Sequence, residues 1–377
     1  MQYRILHTGD WHYSGGVDDD VEISLNQITE HAALNHIDLV TVGGDVYDKT
    51  SSIESRNIVK ERLMNIAQYS PIIICKGNHD QPGDLDILAN LKSKYPIKVY
   101  SAPTVVRLAE GINLYVIPWF TKQHWMQAHH VDSIGDLNAT LSGQLLRYIT
   151  SLKKSNPAEH HILLSHTLIS GARAENNQPL IGEGVTIGEF DLEEAGFDAG
   201  LLSHIHLRQQ FGNGNFYYPG SPAALDFGET TDKYFSVYSV GDRSVEWYQL
   251  NSVKRICIEG SYSEGEWKPD TEYGRGKLSG ARLKLIYTLS PTDDHKLAAE
   301  KIRAYYINDF AKEIKLSPIV EQKMAARADN VSKAKSLEEK LLEYWKHTGQ
   351  DIENSGILKK LKQAEVACTT KELLYKA

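Results

Sequence analysis

The sequence predicts an α/β fold with two smaller C-terminal units, on three observations. Strand and helix signals alternate from Tyr3 to about Ser165, the pattern of layered α/β architecture. Side chains able to hold metal or move protons recur just past the ends of those strands, where open α/β sheets place their sites. Beyond about Leu250 the pattern changes twice, first to a small α+β unit and then to a helical tail.

The elements follow in order. Tyr3–His7 reads as a strand, and the start Met1-Gln2-Tyr3-Arg4-Ile5-Leu6 enters that pattern at once, unlike a signal peptide. Asp18–Asp20 puts negative charge at the head of a helix over Val21–Asn35, where the helix dipole favours it. Asp38–Val42 is the next strand, Ile53–Tyr69 the next helix, and Pro71–Cys75 a buried strand. Asn113–Ile117 and His161–Ser165 continue the series, followed by the short strands Ala199–Ser203, Phe216–Tyr218, Tyr234–Val240 and Ser244–Gln249.

A boundary is expected at Leu250–Val253, dividing residues 1–250 from 251–320. In the second unit Lys254–Glu259, Ala281–Leu289, Asp293–Phe310 and Ile314–Leu316 read as strand, strand, helix and strand. Gly260–Gly280 is rich in Gly, Ser and charge and reads as a loop. Past Pro318, Leu337, Leu341, Leu342 and Trp345 recur at helical spacing, as do Ile357, Leu361, Ala364 and Cys368. Gly349–Gly356 interrupts them, so residues 325–377 read as a helix–loop–helix tail.

With 377 residues, 41% hydrophobic and 24% charged, the chain has the composition of an ordinary globular protein with a well-buried core. No apolar run approaches the ~20 residues that span a bilayer. The 3 cysteines, Cys75, Cys257 and Cys368, form neither a C-x-x-C pair nor an even framework, and a reducing cytoplasm is expected. A net charge of -8 argues against a chain that binds mainly by neutralising phosphates. It does not exclude nucleic acid, because bound divalent cations change the local field.

Chemistry concentrates at strand ends. Lys76-Gly77-Asn78-His79-Asp80 follows the apolar run Ile72–Cys75. Asn78 offers a neutral oxygen ligand, His79 exchanges protons near neutral pH, and Asp80 can orient that imidazole. Asp10-Trp11-His12, Gly44-Asp45-Val46-Tyr47-Asp48, His166 and His204-Ile205-His206 follow other strands. Alternate residues of an extended segment share a side, so Asp10 with His12, and His204 with His206, can face one ion. Asp45, reached through paired glycines, is the natural carboxylate to bridge two ions. Phosphodiester hydrolysis needs an activated water, neutralised phosphoryl charge and a protonated leaving oxygen, and two divalent metals supply the first two. A lone D-x-H or H-x-H is weak, but the ordered set points to a two-metal phosphoesterase with His79 as general acid. His31, His36, His124, His129, His130, His160, His161 and His295 read as surface or packing residues, and Trp11 and Tyr47 as wall or core.

This set resembles the calcineurin-like metallophosphoesterase superfamily, and more narrowly the SbcD family of DNA double-strand-break nucleases. The resemblance rests on Ile5–His12, on Gly43–Asp48, and above all on Tyr218-Pro219-Gly220-Ser221-Pro222 with the later Phe227-Gly228-Glu229. It implies a β-sandwich flanked by helices, a small α+β capping domain at residues 251–320 and a partner-binding tail. It assigns one metal to Asp10, His12, Asp45 and His206, the other to Asp45, Asn78, His166 and His204, and catalysis to His79 with Asp80 behind it. It further implies two Mn²⁺ (Mg²⁺ as an alternative), DNA as substrate, an SbcC-like coiled-coil ATPase partner and a homodimer within a heterotetramer. Two positions bear on the match. Asp48 stands where archaeal and eukaryotic relatives carry a second catalytic histidine, an acid being usual in bacterial SbcD-like chains. Ser203 replaces the family's glycine before the H-x-H pair, where its hydroxyl is expected to shift the loop or donate a hydrogen bond. A small-molecule phosphodiesterase or protein phosphatase on the same scaffold is the rival reading.

Overall fold

The computed structural model describes residues 2–14, 19–48, 51–81, 83–120, 137–175, 184–307, 311–320, 339–340 and 342. Its centre is a pair of facing six-stranded sheets. The first contains β1 (Arg4–Thr8), β2 (Leu39–Val42), β3 (Ile72–Cys75), β4 (Ile97–Tyr100), β13 (Tyr234–Ser239) and β14 (Ser244–Gln249), in the order β14-β13-β1-β2-β3-β4. Strands β1 to β4 run parallel, and β13 joins β1 antiparallel. The second contains β5 (Thr104–Ala109), β6 (Ile112–Ile117), β7 (His160–His166), β10 (Ala199–Ser203), β11 (Gln209–Phe211) and β12 (Phe216–Tyr218), in the order β11-β12-β10-β7-β6-β5. A short parallel pair, β8 (Leu168–Ile169) and β9 (Thr186–Ile187), follows β7.

Alternation along each strand explains the layers. Ile5, Leu39, Ile73 and Cys75 point inward and meet Leu114, Val116, Leu164 and Leu201 of the opposite sheet. Their neighbours Leu6, Val40, Ile72 and Ile74 point outward, onto α1 (Asp19–Leu34) and α2 (Ile53–Ile66). Tyr115, Ile117, Leu163 and Leu202 turn the other way, onto α3 (Leu137–Ser155) and the short α4 (Asp191–Glu194). Central strands covered on both faces must be apolar throughout, which is why Ile72-Ile73-Ile74-Cys75 has no polar break. Ser52 caps α2 with a reciprocal Ser52–Ser55 box. His31 packs against Phe235 and Tyr248, and Trp11 and Tyr47 are fully buried, as packing roles require.

The small domain has its own core and a sheet ordered β16-β15-β17-β18, from β15 (Arg255–Ser263), β16 (Glu266–Pro269), β17 (Arg282–Leu289) and β18 (Glu313–Val320). Helices α5 (Arg275–Leu278) and α6 (His295–Ile307) complete it. The reading of Gly260–Gly280 as a loop is corrected here. β15 runs on to Ser263 and turns through Glu264 and Gly265, both at positive φ, into β16, the backbone that tight hairpins use. Tyr262 and Trp267 on the two arms are buried, and Trp267 Nε1 donates to Tyr306 Oη at 3.1 Å. Composition hid a hairpin that two aromatic side chains hold down.

Asp20 in the first turn of α1 is buried and joins this domain to the sandwich. It accepts from Arg282 Nε at 2.7 Å and Lys312 Nζ at 2.9 Å. Those cations outweigh burial, which alone would raise the carboxyl, and hold it below its ordinary range. No described helix is long and apolar enough to cross a membrane. The tail expected over 325–377 lies outside the described residues, apart from Glu339, Lys340 and Leu342, which are helical.

Candidate metal centre

Strands β1, β2, β3, β7 and β10 all deliver polar side chains at their C-terminal ends, and the loops that follow are laced together. Gly43 N–H donates to the Thr8 carbonyl at 2.8 Å, Asp10 N–H to Gly44 at 2.9 Å, and His12 N–H to Asp45 at 2.9 Å. The β3 loop presses so closely that a Cβ on Gly77 would come within 2.1 Å of Asp45 Oδ1, so only glycine fits there. Asp10, His12, Asp45 and His204 all have left-handed φ, at 51°, 45°, 50° and 108°. Non-glycine residues adopt that region at a cost of about 1–3 kcal/mol each, and such strain clusters at functional sites.

The donor atoms form two sets around one oxygen. Asp45 Oδ2 lies 3.6 Å from His12 Nε2 and 3.3 Å from His166 Nε2. On one side His12 Nε2 faces His206 Nε2 at 3.0 Å, and Asp10 completes that group. On the other, Asn78 Oδ1 lies 2.8 Å from His166 Nε2 and 2.9 Å from His204 Nδ1, while those nitrogens are 3.2 Å apart. Imidazole nitrogens facing each other this closely must share a proton or a cation. All seven expected ligand residues, Asp10, His12, Asp45, Asn78, His166, His204 and His206, therefore converge.

The electrostatics fit cations. Burial pushes the Asp10 carboxyl up to about 6 and the His12 and His204 imidazoles down to about 4 and about 3. Burial would also lower His166, but the adjoining Asp45 carboxylate outweighs it and lifts the ring to about 9. Asp45 is itself held low against burial, with His166 the main cause. Neutral imidazole is the form that ligates metal, and divalent charge would relieve the buried carboxylates. The residues thus fit two divalent cations of borderline type, held by nitrogen and oxygen donors.

Orienting contacts surround the ligands. His166 Nδ1 lies 2.8 Å from the Gly43 carbonyl, and His206 Nδ1 lies 2.9 Å from Glu229 Oε1. Each contact fixes the proton on Nδ1 and leaves Nε2 for the ion. Asp10 accepts the His204 N–H at 3.0 Å. Trp119 lies over His204 with ring centroids 4.6 Å apart. His79 donates from Nδ1 to the Asp48 carbonyl, which leaves Nε2 for a substrate. The Asp48 carboxylate stands 3.5 Å from His12 Nδ1. The cleft over these groups measures about 510 Å³ and is lined by His12, Asp48, His79, His204 and His206.

The calcineurin-like phosphoesterase family matches residues 3–208, which carry every strand end named above except the Glu229 segment. The chain belongs to that family. Calcineurin-like phosphoesterases are metal-dependent hydrolases, and the clustered donors of this chain are those of such an enzyme. Among relatives, the chain is 25% identical over 282 residues to the SbcD subunit of the nuclease SbcCD of Staphylococcus epidermidis, covering 69% of this chain and 73% of that one. It is 26% identical over 253 residues to the protein of the same name from Bacillus subtilis, covering 60% of this chain and 63% of that one. A solved structure, TT1561 of Thermus thermophilus, aligns at a TM-score of 0.41 and 15% identity, over 66% of this chain and 99% of that one.

Two details depart from expectation within this phosphoesterase site. Asp80 does not orient the His79 ring. Its carboxylate accepts N–H groups of Asp45, Val46 and Gly77 at 2.9 Å and of Tyr47 at 3.3 Å. Pointing back under the β2 loop, it shapes the ligand cradle, and the His79 partner is Asp48 instead. Ser203 donates no hydrogen bond: its Oγ is buried without a partner among the described residues. It fills the space above Gly9 and Gly43, where an added Cβ would come within 2.2 Å and 2.0 Å of it. Sequence reasoning gave no role to Glu229, although it ends the Phe227-Gly228-Glu229 segment. Trp119 follows β6 directly, so the rule that found the other residues, one or two positions past a strand, would have found it. Lys233 and Glu175, the partners of Glu229, carried no local signal.

Proposed function

We propose that this chain is a manganese-dependent nuclease of the SbcD type, acting on duplex ends as an exonuclease and on single strands and hairpins as an endonuclease. One observation carries the reading: Asp45 Oδ2 stands between two histidine-rich donor sets with His79 on the rim, in a chain similar to two proteins named as nuclease subunits. Asp10, His12, Asp45 and His206 would hold one cation, and Asp45, Asn78, His166 and His204 the other. When bound, such a pair neutralises phosphoryl charge and activates water at neutral pH. His79 Nε2 protonates the leaving oxygen, with the Asp48 carbonyl fixing the ring. Each cation would meet two imidazoles, His12 with His206 and His166 with His204, which suits Mn²⁺ better than oxygen-loving Mg²⁺.

The names of the relatives support an SbcC-like ATPase as partner, engaged through residues 325–377, with a homodimer inside a heterotetramer. The small domain, standing beside the Leu225–Glu229 wall of the cleft, suits control of DNA access. Cys75 and Cys257 are free thiols, in keeping with a cytoplasmic protein.

The test is hydrolysis of end-labelled duplex DNA beside an aryl phosphodiester, with manganese, magnesium or no metal. DNA cleavage with manganese ahead of magnesium supports the proposal. Hydrolysis of the aryl ester alone would make the chain a small-molecule phosphodiesterase, and no hydrolysis of either would overturn the catalytic reading.

A further inference from the structure

Lys233 is a charged residue with its side chain only 1% exposed, close behind the candidate metal centre. Its ammonium lies 2.7 Å from Glu229 Oε2, 2.8 Å from Glu175 Oε1 and 3.2 Å from Ser221 Oγ, and 3.4 Å from the carbonyl of His206 itself. Burying an ammonium is costly unless it is paired and hydrogen-bonded, and here it meets two carboxylates. Each carboxylate has a second task. Glu175 accepts N–H groups of Thr230 and Thr231 at 3.0 and 3.3 Å, which ties down the entry to β13. Glu229 accepts the His206 Nδ1–H at 2.9 Å and the Leu225 N–H at 3.1 Å.

We infer that Lys233 and Glu175 are positioning residues that act through Glu229 to keep the proton of His206 on Nδ1 and its Nε2 lone pair turned into the cleft. The physical argument starts from Glu229. A carboxylate on a flexible stem could rotate toward solvent or take up a proton, and then it would no longer demand the Nδ1 proton. Lys233 prevents both by pairing with Oε2, which leaves Oε1 facing the imidazole. The same ammonium reaches the His206 backbone carbonyl, so ring and main chain are referred to one point. Glu175 balances the second half of the lysine charge and fixes its position. Neither residue reaches the ligand sets, and both act at one remove from the ion. Orienting partners of this kind typically change metal affinity by about 10–100-fold.

The inference rests on the metal reading of the site, so its test has an arm that needs no metal. Nitrogen-15 correlation spectra of the metal-free chain, taken at a pH where the ring is neutral, report which His206 nitrogen carries the proton. The wild type is expected to hold it on Nδ1, and Lys233→Met to show a mixture of both tautomers. Calorimetric titration with Mn²⁺ should then find about 10–100-fold weaker binding at one site of Lys233→Met. Lys233→Arg, which keeps the charge, should restore most of it. A proton on Nε2 in the wild type would overturn the inference without any variant, and covers the case in which Lys233→Met fails to fold. An unaltered tautomer and unaltered Mn²⁺ affinity in a folded Lys233→Met would overturn it equally. A wild type that shows the Nδ1 tautomer yet binds no divalent cation would leave the proton assignment standing and sink the metal reading.

Discussion

Ser203 Oγ occupies the space that a side chain on Gly43 would need, 2.0 Å from where its Cβ would lie. Gly9 stands in the same relation at 2.2 Å. Alanine at either glycine should therefore destabilise the chain by about 1–3 kcal/mol through overpacking. Ser203→Gly should rescue Gly9→Ala more fully than Gly43→Ala, because the latter still meets His7 Cε1 at 3.1 Å. Urea unfolding of the singles and doubles measures the coupling. Ser203→Gly alone should stay active, and additive losses in the doubles would refute the shared cradle.

Asp45→Ala removes the one oxygen common to both donor sets. It should abolish hydrolysis and cut metal content below the two ions expected per chain, read by elemental analysis beside activity. A variant with near wild-type turnover and full metal content would end the two-metal assignment.

His79 and Asp80 should separate. His79→Ala keeps the ligand sets intact and should retain metal and DNA affinity while losing about 10²–10⁴-fold in turnover. Asp80→Asn sets an amide against N–H donors that all need an acceptor, so it should weaken metal binding as well as turnover. Equal metal affinity in the two variants would restore Asp80 to a role confined to His79.

His7 supplies a pH dependence away from the ligands. It bridges the sheets, with Nε2 3.1 Å from the Leu202 carbonyl and Nδ1 3.0 Å from Thr41 Oγ1, and burial pushes it down to about 4. The unfolded chain takes up this proton below about pH 6.5 and the folded chain resists it. Its contribution, on the order of 3 kcal/mol, is thus complete above pH 6.5 and fades as the pH falls toward 4. Denaturant titrations at pH 7.5 and 5 should show a smaller loss in His7→Gln than in wild type. Identical losses would show that His7 titrates normally.

Much of this site was legible because its information is local. Each ligand follows a strand, so apolar runs such as Ile72–Cys75 located the residues before any tertiary contact was known. The unread parts depend on long-range approach. Asp80 looked like a partner of its neighbour His79, but the β2 loop, over thirty residues earlier in sequence, captures it with backbone N–H groups. Ser203 looked like a hydrogen-bonding group, and two distant glycines make it a packing group. In the small domain, the hairpin at Glu264–Gly265 was hidden by polar turn chemistry that resembles a loop. Nothing near Lys233 or Glu175 announces that they meet beside His206.

The left-handed backbone of Asp10, His12, Asp45 and His204 is braced by main-chain hydrogen bonds and by Asp80, none of which involves an ion. The cradle is thus assembled by folding and only afterwards filled. Chelation should empty it reversibly, and reloading should need no denaturation and no helper protein. Inside a cell, the activity of such a chain would follow the free pool of suitable cations from moment to moment, so that supply, rather than the age or folding history of the molecule, sets how much of it works.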